Sequence, residues 1–102
     1  MLRKATIDDV EKIYKLINDF AAKNVMLPRS FSELYENIRD FFVFIQDDTL
    51  VGCAALHIFW KDLAEIKSVA VQETTQRKGI GRKLVRVCIR EARKLRDRKS
   101  VV

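Results

Sequence analysis

At 102 residues, 48% hydrophobic and 33% charged, the chain has material for one modest core and not for a second domain. One proline, three glycines and no Ser-, Gln- or Pro-rich stretch exclude a linker or low-complexity tail, and the apolar runs Phe41 to Ile45 and Leu50 to Trp60 are too short or too interrupted for a membrane span. The net charge of +6 is uneven: residues 77–99 hold 11 of the 20 basic residues against two acids, Glu91 and Asp97, a local balance of +9 that calls for an anionic partner or a solvated helix face.

Leu2 to Thr6 reads as a short edge strand, and Thr6-Ile7-Asp8-Asp9 has the spacing of a helix-starting capping box. With no long apolar leader at the N-terminus, no secretory signal is expected and the default compartment is the cytoplasm. Val10, Ile13, Tyr14, Ile17, Phe20 and Ala21 recur at offsets of three and four, predicting a helix over 8–22 with Glu11, Lys12, Lys15 and Asn18 outside its apolar face. After Pro28, Ser30-Phe31-Ser32-Glu33 repeats the capping pattern, and Leu34, Ile38 and Phe41 predict a shorter helix over 30–40.

From Phe41 the period changes. Phe41 to Ile45, the turn pair Asp47-Asp48, and Thr49 to Phe59 predict a β-hairpin. A third strand spans Leu63 to Val71, with Glu65 and Lys67 on one face and Ala64 and Ile66 on the other. Val69 and Val71 then fall on the polar face, which requires either a β-bulge near Ser68 or burial on both faces. Gln72 to Lys78 is a polar connection. A helix over 79–96 follows, with an apolar stripe of Ile80, Leu84, Val85, Cys88, Ile89, Ala92 and Leu95 and a basic stripe of Arg82, Arg86, Arg90 and Arg93, read as a solvated face. It frays near Asp97, leaving Ser100-Val101-Val102 as the start of an unfinished element. Cys53 and Cys88 lack any CxxC spacing or clustered histidines, so they are expected to be reduced core residues, with no metal bound. The fold class is α/β of the α+β type, a mainly antiparallel sheet flanked by helices.

The informative segment is strand, Gln76-Arg77-Lys78-Gly79-Ile80-Gly81, helix. Glycines at 79 and 81 remove side chains where backbone must wrap a ligand closely, and free N–H groups at a helix start favour phosphate. The pattern alone is weak, but its place between an apolar strand and an amphipathic helix, in the most basic part of the chain, meets the needs of a phosphate-binding loop.

On this loop, the opening Arg3-x-Ala5-Thr6-x-x-Asp9, the strand Leu50 to Ala54 and the run Ala64 to Val71, the chain resembles the GNAT superfamily of acyl-coenzyme A dependent N-acetyltransferases. Met26 to Ser30 and Ala64 to Val71 look most like the bacterial branch that acetylates the α-amino group of glutamate or a related amino acid. The resemblance implies a single acetyl-coenzyme A binding domain over 1–102, incomplete at its C-terminus. Val69, Ala70 and Val71 would lie beside the pantetheine arm, Gln76, Arg77, Lys78, Gly79, Ile80, Gly81 and Arg82 would form the pyrophosphate loop, and the bulge would open a gap for the thioester.

Attack of a neutral amine on the thioester needs a proton acceptor and a group to protonate the thiolate. Glu65, acting through water, is the candidate base, while the family's tyrosine acid has no counterpart here, since Tyr14 and Tyr35 belong to the first two helices. Arg29 and Lys67 are candidates for binding an amino-acid carboxylate. His57 is read as a satisfied face residue, and Phe59 and Trp60 as packing. No helix-turn-helix or RNP pattern, and no aromatics among the basic residues of 77–99, supports a nucleic-acid module, so the rival readings are that module and a non-catalytic CoA-binding fragment. Because the missing strands would leave the sheet open, a homo-oligomer is expected, with a small amine and acetyl-coenzyme A as the other partners.

Overall fold

Two aspartates in left-handed conformation, Asp47 (φ 52°) and Asp48 (φ 61°), close a two-residue hairpin between Gln46 and Thr49, the turn whose twist matches the flanking strands. This hairpin centres an antiparallel sheet in a computed structural model that describes residues 1–24 and 26–97. The strands are β1 (Leu2–Lys4), β2 (Phe41–Gln46), β3 (Thr49–Trp60) and β4 (Leu63–Val71), in spatial order β1-β2-β3-β4. The helices are α1 (Val10–Ala21), α2 (Phe31–Glu36) and α3 (Ile80–Asp97). Short 3-10 turns at Ile7–Asp9, Ile38–Asp40 and Glu73–Thr75 lead into α1, β2 and the loop before α3. Among the described residues the predicted elements are all present, with the helix expected over 30–40 divided into α2 and the second of these turns, and the element expected to start at 100–102 lies outside the described residues.

Alternation along the strands sorts the apolar residues to two faces. Phe41, Val43, Cys53 and Ala55 pack with Val10, Ile13, Leu16 and Ile17 of α1, while Phe42, Ala54 and Leu56 pack with Ile80, Leu84 and Cys88 of α3. The helix faces differ in detail from the predicted stripes. Leu16 joins the buried face of α1, and Asn18, expected outside it, turns inward to bond another segment. On α3, Val87 packs while Ile89 and Leu95 stay exposed. Phe59 and Trp60, read as packing, are also exposed, because the β3–β4 hairpin outruns α1 and only the last turns of α3, through Ala92 and Leu95, come near its tip. No described helix is long and apolar enough to cross a membrane.

Gly52 sets how closely α3 approaches the sheet. A Cβ there would lie 3.0 Å from Leu84 Cδ1, 3.2 Å from Ile80 Cγ2 and 3.4 Å from the Ala70 carbonyl. The first turns of α3 therefore rest directly on β3 backbone. Gly52→Ala is expected to lower unfolding stability by about 1–3 kcal/mol through overpacking, measured by urea denaturation. Gly81→Ala, whose Cβ would meet only Val71 Cγ2 at 3.7 Å, should stay within about 1 kcal/mol of the unsubstituted protein.

The N-terminal turn is fixed by a buried carboxylate. Asp9, 5% exposed, accepts from both terminal nitrogens of Arg3 (2.7 and 3.0 Å) and from the Thr6 amide (2.7 Å). The Arg3 hydrogen bonds hold the Asp9 carboxyl below its ordinary range, against the opposing effect of burial, and raise Arg3 in turn. A carboxyl lowered on folding stabilises above its unfolded value, about pH 4, and that contribution disappears as pH falls through the folded value. Asp9→Asn should therefore melt lower than the parent at pH 7, with the gap narrowing below about pH 4, as followed by melting temperature against pH.

Candidate functional site

β4 ends where Gln72 donates its amide to Val51 O at 2.7 Å, and the chain then leaves the sheet. The Gln76 side chain turns back to donate to Val71 O at 2.9 Å, and Thr75 Oγ1 donates to Gln72 O at 2.9 Å, so the connection is folded on its own polar groups. Arg77 (φ 69°) and Gly79 (φ 79°) both adopt left-handed conformation, which is costly for arginine and free for glycine. The chain enters α3 immediately afterwards, and Lys83 N–H bonding to Gly79 O at 3.1 Å marks its first turn. The amides ahead of Lys83 have no carbonyl four residues back within the helix.

These constraints shape a groove of about 450 Å³ lined by Val69, Val71, Gln76, Arg77, Gly79, Ile80, Gly81 and Arg82. The structure thus brings together all but two of the residues predicted to hold a cofactor. Ala70 is turned into the core at 4% exposure and contributes backbone, and Lys78 is exposed in the loop beside the groove. A Cβ on Gly79 would meet nothing within 4 Å and one on Gly81 only Val71, so neither glycine is demanded by protein packing against it. The space at Gly81 belongs to the groove. A phosphorylated ligand fits this set: free helix-start amides, a glycine cradle, and the exposed cations Arg77, Lys78 and Arg82 at the rim.

A smaller cavity of about 230 Å³ shares Val69, Val71 and Gln76 with the groove and extends it to Phe20 and Met26. Sequence reading placed Phe20 only in the helix stripe and gave Met26 no role of its own. The Lys23–Glu73 ion pair joins the end of α1 to the turn ahead of the glycine loop.

Of the two readings of the polarity switch, a bulge or burial on both faces, β4 shows the bulge. Cys53 pairs with Ala70 and Ala55 with Lys67, so Ser68 and Val69 stand opposite Ala54 alone, and Ser68 lies at φ 56°. Arg29 Nη1 donates to Ser68 Oγ at 3.0 Å, and its guanidinium carbon sits 5.9 Å from the Phe41 ring centroid. Asn18 fixes the backbone of Arg29, donating to its carbonyl (3.0 Å) and accepting from its amide (3.3 Å). The arginine side chain is 10% exposed, with Nε 3.7 Å from Glu33 Oε2 and without a hydrogen-bond partner. A buried cation with an unused donor is poised for an anion.

Glu33 completes the Ser30 capping box. Its carboxyl is lowered chiefly by the Ser30 amide and hydroxyl, and further by the charges of Arg29 and Lys67, so both predicted carboxylate-binding cations converge on one neighbourhood. Glu65 is exposed on β4 opposite His57, on the same face as Lys67. Cys53 and Cys88 are free and buried, and burial pushes their thiols up to about 12 and about 11. No group of three or more metal-ligating His, Cys, Asp or Glu occurs among the described residues.

The family model for the acetyltransferase (GNAT) family matches residues 8–102. An amino-acid acetyltransferase of Mycobacterium tuberculosis is 37% identical over 98 residues, covering 93% of this chain and 56% of the relative. Among solved structures, Rv2747 from Mycobacterium tuberculosis, in complex with CoA and NLQ, matches with TM-score 0.88 and 36% identity over 94% of this chain and 59% of that one. N-acetylglutamate synthase from Neisseria gonorrhoeae, complexed with coenzyme A and N-acetyl-glutamate, gives TM-score 0.89 and 33% identity over 93% of this chain and 23% of that one. The chain spans about half the length of the first curated relatives it matches. A glycine loop opening α3, a bulged β4 behind it and a family match over nearly the whole chain lead to one conclusion: the chain belongs to the GNAT family of acetyltransferases.

Proposed function

We propose that this protein binds acetyl-coenzyme A and transfers its acetyl group to the α-amino group of an amino acid, glutamate or a close relative. The observation that carries the reading is the continuous path from the Gly79–Gly81 groove along Val69 and Val71, with buried Arg29 anchored on the bulge beside it. Arg77, Lys78, Arg82 and the helix-start amides take the pyrophosphate, and β4 backbone at Val69 to Val71 lies alongside the pantetheine arm. When bound, acetyl-coenzyme A supplies an activated acyl carbon. Arg29 and Lys67 take the acceptor's carboxylate and so place its amine at the bulge, while Glu65 receives the amine proton through water. Both thiols are buried and held protonated, which favours direct transfer over an acyl-cysteine.

β4 is an edge strand among the described residues, so its outer side is available for pairing with a further strand, which supports association with a second copy or with more of a longer chain.

Calorimetric titration with acetyl-coenzyme A, coenzyme A and ATP, followed by an acetyl-transfer assay over an amino-acid panel, tests the reading. Gly81→Leu should weaken coenzyme A binding at least about tenfold by filling the cradle, with little change in melting temperature, and unaltered affinity would count against the site. Arg29→Lys keeps the charge but loses the planar fork. It should raise the acceptor KM by about 10- to 100-fold while leaving coenzyme A affinity unchanged.

A further inference from the structure

His57 lies outside everything assigned so far, yet it is built into the same face. Its Nδ1 lies 2.8 Å from Asp40 Oδ2, at the end of the 3-10 turn that leads into β2, with the two side chains 31% and 25% exposed. The Phe59 ring meets the imidazole edge-on at 4.7 Å and 81° and narrows its rotation. A carboxylate only accepts, so Nδ1 carries the hydrogen and the lone pair is left on Nε2. Among the described residues Nε2 has no hydrogen bond.

The residue directly opposite His57 in the β3–β4 ladder is Glu65. Antiparallel partners project to the same face with Cβ atoms about 4.5–5.5 Å apart. Lys67, opposite Ala55, is the next side chain on that face towards the bulge. The order along β4 is therefore Ser68 with Arg29, then Lys67, then Glu65 beside His57. The charged groups facing the imidazole are Asp40 from the turn and Glu65 from β4, with Lys67 diagonal to it.

We propose that the Asp40–His57 pair is a proton relay for Glu65, carrying to solvent the proton that the acceptor ammonium must lose before it can attack. The inference rests on the acetyl-transfer reading above. An α-ammonium is the dominant form at neutral pH and is not a nucleophile. Its first proton passes through water to Glu65, then to His57 Nε2, and leaves from the exposed part of the ring. The neutral amine then forms the C–N bond, the C–S bond breaks, and the second amine proton ends on the departing thiolate. The sum is one amide, one thiol and one proton released. His57 acts through Glu65 and not on the acceptor, and Asp40 holds its tautomer and ring orientation.

His57 is the sole histidine of the chain, so its imidazole proton resonances can be assigned without ambiguity. Glu65→Gln and Asp40→Asn should each move those resonances at fixed pH, since Asp40 is bonded to the ring and Glu65 stands opposite it in the ladder. Unmoved resonances in Glu65→Gln overturn the coupling whether or not the protein turns over. His57→Asn keeps an N–H donor for Asp40 and hence the tie between the turn and β3. In the full chain it should lower kcat about tenfold near neutrality and alter the acid limb of the pH–rate profile, with acceptor KM and coenzyme A affinity unchanged. A parent-like kcat and profile, or a loss confined to melting temperature, would show that the pair is only a structural tie. Failure of the acetyl-transfer reading looks different: the unsubstituted chain would transfer to no amino acid, and the relay would fall with it.

Discussion

The rest of the site depends on one extra residue in β4. Two residues, Ser68 and Val69, occupy the place of one opposite Ala54, and the left-handed Ser68 is what lets the strand absorb the surplus. Without it, side-chain alternation from Ile66 would carry Val71 to the α1 face and Ala70 to the α3 face. With it, Ala70 enters the core under α1 and Val71 joins Ile66 beneath α3. The same step turns the Ser68 hydroxyl towards Arg29 and leaves Val69 38% exposed on the groove. One backbone irregularity therefore reconciles the two hydrophobic faces and also sets Ser68 against Arg29 and Val69 on the groove.

Placement of the glycine loop follows from a second close contact. Gly52 on β3 admits Leu84 and Ile80 to within the reach of a missing Cβ, which brings the start of α3 down onto the sheet beside the end of β4. The amides that open α3 and the backbone of Val69 to Val71 then line a common groove. Electrostatics add range more than strength here. Arg77, Lys78 and Arg82 are exposed, so each is worth little as a single pair, but together with the helix dipole they concentrate an anionic ligand at the loop.

Local signals made most of this legible in the sequence. The capping patterns at Thr6 and Ser30, the Asp47-Asp48 turn and the switch of period at Phe41 identified the elements, because each is a short-range preference that the tertiary structure did not override. The polarity switch at Val69 pointed to the bulge, since a register change leaves its trace in side-chain alternation. What stayed hidden depends on non-local packing. Gly52 looks like any strand glycine until α3 is laid across it, Asn18 reads as a polar helix position until Arg29 is brought beside it, and Phe59 and Trp60 look like core residues until the hairpin is seen to outrun its cover. The burial of Arg29 was equally invisible, because its surroundings, Ser68 and Phe41, are distant in sequence.

The arrangement of charge bears on where such a site could run the proposed proton chemistry. Cys53, closest to the bulge through a 3.4 Å contact from Sγ to Ser68 O, is fully enclosed and kept neutral by desolvation. Around the bulge, Lys67, Glu65 and the Asp40–His57 pair reach solvent, with Glu33 nearby and the largely enclosed Arg29 at their edge. Positive charge, from Arg29, is therefore gathered at the bulge, while Glu65 and the Asp40–His57 pair lie further towards the hairpin tip. An amino acid held by its carboxylate at Arg29, as proposed, would have its α-amine two bonds from the carboxyl carbon. In the proposed reaction its proton would then pass outward along the strand to Glu65, which alternation sets on the same face as Lys67 and opposite His57.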